Sequence, residues 1–332
     1  KMEDPKRFAV INPLVCEGCG DCSVESNCLS VEPLETEFGR KRKINLNTCN
    51  KDFTCLNGFC PSFVTIKGGT LKEPDAIAPR GADLPDPVMP AITQPWNILV
   101  TGVGGTGVVT VGALITMAAH IEGRGSSVLD FTGFAQKFGT VLSYIRLGET
   151  PEDIHQVRID QGAADAVIGC DMVVSSSPKA SVHYRKGAKV VLNRAAMPTG
   201  DLVLHRDADL RIDAREEVIR AAVGAENVMG IDANELAEEL LGDSVFANVM
   251  MLGYAWQAGL VPVSELALKQ AILLNAVAVE KNTRAFEMGR VLAGREAVLR
   301  SYADHATHEL KGPLTVLRGA AELLDGDDVP RE

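Results

Sequence analysis

The stretch Asn97-Ile-Leu-Val-Thr-Gly102-Val-Gly104-Gly105-Thr106-Gly107, continued by an apolar run from Val108 to about His120, decides the fold. Asn97–Thr101 reads as a short buried strand, the glycines as a turn, Val108–His120 as a helix and Ser127–Asp130 as the next strand. Strand, glycine turn and helix form the context in which G-x-G-x-x-G approaches a phosphate. The glycines admit close backbone contact, and the helix dipole favours an anion at its N-terminus. Asp130, 23 positions after Gly107, stands where such a motif places a carboxylate on a ribose. A glycine turn that only packs a helix closely on a sheet fits the same residues. Both readings stay open at this level.

The alternation continues downstream. Val141–Arg146, Asp171–Ser175, Lys189–Asn193 and Asn227–Asp232 read as strands, the last feeding a helix over Ala233–Leu241. Such alternation implies a mostly parallel, doubly wound α/β sheet covered on both faces. Val245–Ala258 and Ser264–Arg290 read as long apolar-periodic helices separated by Gly259 and Pro262.

Upstream lies a second kind of chemistry. Seven of the eight cysteines, Cys16, Cys19, Cys22, Cys28, Cys49, Cys55 and Cys60, fall within 45 residues, and only Cys170 lies elsewhere. C-x-x-C-x-x-C lets three thiolates from one tight loop reach one metal centre, and a distant Cys-Pro supplies the fourth. This is the bacterial ferredoxin arrangement, in which each half ligates the other half's cluster. It assigns Cys16, Cys19, Cys22 and Cys60 to one 4Fe–4S cluster. Cys28, Cys49 and Cys55 would share a second site, with Asp52 where a middle cysteine is expected; the long gap from Cys22 and Leu29 after Cys28 depart from the pattern, and structural or free thiols fit these three as well. Asp52 would supply an oxygen ligand, or that iron would be absent and leave 3Fe–4S. Structural zinc is the competing reading, but it favours paired knuckles over three successive steps. A disulfide framework fits poorly, because the clustered cysteines are odd in number and no secretory signal precedes them.

The expected division is a ferredoxin-like module over 1–69, a proline-rich linker over 70–96, an α/β domain over 97–290 and a helical tail over 291–332. Phe8–Asn12 and Phe63–Lys67 read as strands of the first module. Glu35–Asn47 reads as a hairpin whose basic run, Arg40-Lys-Arg-Lys43, is either a solvated turn or a dock for an acidic electron carrier. The 332 residues hold 46% hydrophobic and 23% charged residues, enough for a sizeable core. A net charge of −11 with no basic stripe argues against a nucleic-acid partner. The apolar runs are too short or too interrupted to span a bilayer. Reduced cysteines without an export signal point to the cytoplasm, and the leading Lys1 suggests a piece of something longer.

Taken together, the glycine turn, Asp130-Phe-Thr-Gly-Phe-Ala-Gln136-Lys137-Phe-Gly139 and Leu273-Leu-Asn-Ala-Val-Ala-Val-Glu-Lys-Asn282 resemble the gamma-type domain of 2-oxoacid:ferredoxin oxidoreductases. The cysteine block placed ahead of it resembles the large fused indolepyruvate ferredoxin oxidoreductases of bacteria. The resemblance covers roughly residues 5–290. It implies oxidative decarboxylation of a 2-oxo acid on thiamine diphosphate, electron transfer through iron–sulfur clusters to ferredoxin, and an acyl-CoA product. It makes Gly102, Gly104, Gly105, Thr106, Gly107, Gln136 and Lys137 candidate contacts for the pyrophosphate of CoA. No thiamine and magnesium signature is found, so those modules are expected on another chain or an absent portion. The full enzyme is expected to be a homo-oligomer. A nicotinamide- or flavin-dependent iron–sulfur reductase, with Asp130 on a ribose, is the alternative.

After Arg290 the likeness changes. Tyr302–Leu324 resembles the phosphoacceptor helix of sensor histidine kinases, with His308 as acceptor, Glu309 as base and Pro313 as kink. No ATP-binding domain follows it, so a plain amphipathic helix or a spliced gene end fits this stretch as well.

Overall fold

The computed structural model describes residues 7–69, 84–133, 139–199, 202, 205 and 207–296. The cysteine region is built from two small antiparallel pairs. β1 (Arg7–Ile11) pairs with β4 (Phe63–Lys67), and β2 (Val31–Thr36) with β3 (Gly39–Ile44). Between them lie α1 (Asp21–Ser26) and a single 3-10 turn, Thr54–Leu56. The hairpin turn falls at Glu37 and Phe38, so the basic run is strand β3 and not a turn.

The second region holds a six-stranded sheet in the order β10-β9-β8-β5-β7-β6. Its strands are β5 (Trp96–Val103), β6 (Gly125–Thr132), β7 (Thr140–Gly148), β8 (Ala164–Gly169), β9 (Tyr184–Asn193) and β10 (Val228–Ile231). β5, β8, β9 and β10 run parallel, and β7 is antiparallel to both of its neighbours, β5 and β6. Strand periodicity divides the core. Ile98, Val100, Ala166 and Ile168 face one apolar cluster, and Leu99, Val167, Val190 and Leu192 face the other. Burial on both faces explains why these strands read as unbroken apolar runs.

The helices fall in two layers. α2 (Val108–Ile121) lies against one face with α6 (Ala233–Leu241), α7 (Ala247–Gln257) and α8 (Glu265–Asn275). On the other face are α3 (Met172–Ser175), α4 (Pro178–Ser181) and α5 (Ile212–Val223). A final helix, α9, occupies 279–296. Two glycines let α7 and α9 touch backbone to backbone. A Cβ on Gly253 would lie 2.0 Å from the Phe286 carbonyl oxygen, and one on Gly289 would lie 1.9 Å from that of Met250. Of the proline-rich segment, residues 84–95 are described, and Met89 and Ile92 pack on the helical core.

Two expectations need correction, and a third lies outside the described residues. Asp171–Ser175 is not a strand. Asp171 accepts from the Val174 amide at 2.8 Å and caps α3, while the strand is the alanine-rich Ala164–Gly169 before it. The segment Ser264–Arg290 is not one helix, because Ala276 and Ala278 take positive φ and break it into α8 and α9. The break lets α9 turn back so that Gly289 meets α7. Residues 297–332, most of the expected tail, lie outside the described residues.

Candidate functional site

Two loops of the cysteine region share one backbone design. In the first, the amides of Val15 and Cys16 donate to the Asn12 carbonyl, and the Asn12 side chain accepts from Leu14. Gly18 then donates its amide to Cys16 Sγ at 3.4 Å. Gly18 and Gly20 take φ of +80° and +78°. In the second loop the Cys49 amide donates to the Asn45 carbonyl, and the Asn45 side chain accepts from Asn47. Lys51 donates its amide to Cys49 Sγ at 3.3 Å, and Lys51 and Phe53 take φ of +62° and +60°. Even the next contact repeats, Ser23 to Gly20 in one loop and Leu56 to Phe53 in the other. The left-handed residues curl each loop so that one amide faces the sulfur of its first cysteine. Glycine does this without strain, whereas Lys51 and Phe53 adopt a conformation costly for L side chains.

Cys16, Cys19, Cys22 and Cys60 line one cavity of about 370 Å³ together with Cys55, so a member of the second expected set shares the cavity of the first. Burial, then the neighbouring sulfurs of Cys16 and Cys19, push the Cys22 thiol up. Burial, then Cys28 and Cys49, push the Cys55 thiol up to about 11. Cys60 Sγ lies 2.9 Å from Ser62 Oγ. Among the described residues no group of three or more His, Cys, Asp or Glu is gathered around a single-ion position. The donor set fits an iron–sulfur cluster all the same: soft sulfur donors, two loops that each point an amide at sulfur, and a cavity several atoms across. Asp52 is exposed. Its Oδ1 accepts from the Thr54 amide at 3.1 Å and the Thr54 hydroxyl at 3.0 Å, so this carboxylate is engaged by the first residue of the 3-10 turn.

The glycine turn is held rigidly. The Gly104 amide donates to the Gly139 carbonyl at 2.7 Å, and the Thr106 hydroxyl to the Val103 carbonyl at 2.8 Å. Asp171, fully buried, accepts from the Val103 amide at 2.6 Å, and burial pushes its carboxyl above the usual range. A Cβ on Gly107 would lie 2.0 Å from Asn248 Nδ2, and one on Gly102 would lie 2.4 Å from Thr106 Oγ1. Gly105 and Thr106 form one wall of a cavity of about 160 Å³, whose other walls include Cys170, Asn193, Asn234 and Asn47. Asn193 ties this wall together, donating to the Cys170 carbonyl at 3.1 Å and to Asn234 Oδ1 at 2.9 Å. Asn47 comes from the cysteine region, two residues before Cys49, and donates to Glu238 Oε1 on α6 at 2.9 Å. Arg40 on β3 donates to the Ala208 carbonyl at 3.3 Å. The two regions therefore meet at the glycine turn.

Asp130 does not join this site. It is exposed on the edge strand β6, and β7 separates β6 from β5. Two strand spacings amount to about 10 Å. The dinucleotide motif needs its acidic residue on the strand beside the glycine turn. Gln136, Lys137 and His308 lie outside the described residues. Sequence reasoning missed Asn47, Asn193 and Asp171, which carry no motif. It also missed Arg42, which is 1% exposed and lines the cysteine cavity.

The sequence model described as pyruvate ferredoxin/flavodoxin oxidoreductase matches residues 97–292, more than half of the chain. The chain belongs to that family. Among curated relatives, the indolepyruvate oxidoreductase subunit IorB of Thermococcus kodakarensis is 30% identical over 207 residues, covering 60% of this chain and 96% of its own length. The subunit of the same name from Pyrococcus horikoshii is 28% identical with the same coverage. Of solved structures, the gamma subunit of a keto/oxoacid ferredoxin oxidoreductase from Geobacter sulfurreducens superposes with a TM-score of 0.42 at 21% identity, covering 60% of this chain and 98% of its own. The family match begins at β5, so the cysteine region stands outside it. Among the described residues, no helix is long and apolar enough to cross a membrane.

Proposed function

We propose that this chain is the electron-relay and CoA-side portion of an indolepyruvate-type 2-oxoacid:ferredoxin oxidoreductase. The single observation that carries the reading is the paired design of the two cysteine loops, set against the glycine turn of a domain that belongs to the family. In the full reaction the carboxyl carbon of the 2-oxo acid leaves as CO2, the acyl group joins the CoA sulfur, and two electrons depart singly to ferredoxin. Thiamine diphosphate with magnesium, on a partner module, supplies the carbanion sink that no side chain here provides.

Cys16, Cys19, Cys22 and Cys60 would hold one 4Fe–4S cluster, and Cys28, Cys49 and Cys55 a second. An iron–sulfur cluster supplies one-electron exchange at a potential that burial and hydrogen bonds to sulfur tune. The Gly18 and Lys51 amides are such bonds. Because Asp52 is exposed and its Oδ1 is engaged by Thr54, a three-thiolate 3Fe–4S site is favoured for the second set, with Asp52 as the fourth ligand in the other case. Asn47 lines the glycine-turn cavity, and the two residues from it to Cys49 span at most about 7 Å. This supports an electron path that enters at the second set and leaves through the first. Gly102, Gly104, Gly105, Thr106 and Gly107, with Gln136 and Lys137, would face the pyrophosphate of CoA, where the N-terminus of α2 favours an anion. The nicotinamide reading loses its support with the position of Asp130.

Iron and acid-labile sulfide per chain, with EPR on anaerobically purified protein, test the proposal. About eight irons, or about seven with an oxidised 3Fe–4S signal, are expected. Zinc without sulfide would sink the electron-relay reading.

A further inference from the structure

Arg42 is the largest fully buried side chain among the described residues, yet it belongs to a basic run whose next member, Lys43, is exposed. Strand geometry explains the difference, since successive side chains on β3 point to opposite faces. Arg42 sits opposite Pro33 in the hairpin and lines the cavity of Cys16, Cys19, Cys22 and Cys60. The first cysteine loop closes on this strand because Gly18 has no side chain. A Cβ there would lie 2.1 Å from the Arg40 carbonyl oxygen.

A guanidinium stays charged at any pH a protein meets, and taking it out of water is costly. Packing alone would be served by Leu or Met at this position. The charges at the cavity rim are Glu17, Asp21 and Glu25, all exposed. Water and salt screen those carboxylates, whereas a buried charge acts through an effective dielectric several-fold lower. At equal distance the buried arginine therefore outweighs any one of them.

We propose that Arg42 is a positioning charge for the cluster of Cys16, Cys19, Cys22 and Cys60. It stabilises the reduced form and so holds the reduction potential up. On reduction the cluster takes one electron from an external donor and becomes one unit more negative, with no bond to the protein made or broken. Net charge and burial are among the levers that set such potentials. The inference rests on the iron–sulfur reading above.

The test is an EPR-monitored dithionite titration of the anaerobically purified chain and its Arg42→Met, Arg42→Gln and Arg42→Lys variants, each first assayed for iron and sulfide. The midpoint is expected to move to more negative potential in Arg42→Met and Arg42→Gln and to stay within replicate error in Arg42→Lys. Loss of the cluster in both neutral variants, with a wild-type midpoint in Arg42→Lys, also supports the proposal, because charge is what separates them. Unchanged midpoints at full sulfide content overturn it. So does loss of sulfide in all three variants, or a shift in Arg42→Lys as large as in Arg42→Met, either of which makes Arg42 a packing element. Absence of sulfide from the unmodified chain is a separate result that removes the iron–sulfur reading itself.

Discussion

The two cysteine loops have the same backbone and different side chains. The first uses glycine at both left-handed positions and a cysteine, Cys19, in the middle. The second uses Lys51, Phe53 and Asp52 at the equivalent places. The first loop is thus relaxed and fully supplied with thiols, and the second is strained and short of one. Strain in such a backbone shape is held by its surroundings. Here Arg7 stacks over the Phe53 ring at 4.0 Å, and the Lys51 ammonium lies 5.2 Å from the Phe8 ring centre, so β1 braces the second loop. The first loop is shaped mainly by its own sequence, and the second by its neighbours.

The largest expected effect comes from removing a thiol from either set. Cys22→Ser should remove the first cluster and about four irons per chain. Cys55→Ser should remove only the second set and leave the first. A cluster bound as proposed contributes to folding, so each variant should also unfold at lower urea. Metal analysis with urea titration separates the two. If either substitution emptied both sets, the pairing of Cys16, Cys19 and Cys22 with Cys60 would be wrong.

Glycine geometry gives the next contrast. Gly18→Ala adds a methyl at positive φ, 2.1 Å from a carbonyl oxygen that belongs to β3, and should cost about 2–4 kcal/mol. Lys51→Gly removes strain at the equivalent position and should stabilise by up to about 1 kcal/mol. Opposite signs at matched sites would be read from thermal or urea midpoints. A neutral Gly18→Ala would mean that the loop has room to move away from β3.

This asymmetry also shows what the sequence made legible. The C-x-x-C-x-x-C spacing is local, and Cys16, Cys19 and Cys22 lie together at one cavity, in the loop before α1 and in its first turn. β4 at Phe63–Lys67 and α2 from Val108 were equally local, set by apolar patterning next to glycine or turn residues. The failures were tertiary. The apolar Met172-Val-Val174 resembles a strand, but Asp171 caps it as a helix because its carboxylate is needed beneath the glycine turn. β8 was hidden by its alanines, which have little strand propensity and fit because both faces are covered. The separation of Asp130 from the glycine turn arises from the insertion of β7, which no local pattern records. Arg42 passed as one charge in a basic run, although alternation along a strand would have set it apart from Lys41 and Lys43.

The smallest effect is at Asp52, and it isolates the one chemical difference between the loops. Asp52→Ala deletes the acceptor of two exposed hydrogen bonds from Thr54 and should cost about 1 kcal/mol. Asp52→Asn keeps that acceptor and should leave stability within about 0.5 kcal/mol of the parent. EPR then separates the Thr54 contact from ligation. If the second set is a three-thiolate 3Fe–4S site, its oxidised signal should persist in Asp52→Asn, since the carboxylate charge is not used on iron. If Asp52 binds a fourth iron, the parent should lack that signal in the oxidised state and Asp52→Asn should gain it, because a neutral amide holds iron poorly. Asp52→Cys completes the motif of the first loop at the second and should convert a 3Fe–4S site to 4Fe–4S with one more iron per chain. If iron content stayed unchanged in Asp52→Cys, the shared backbone of the two loops would not extend to the placement of their middle ligand.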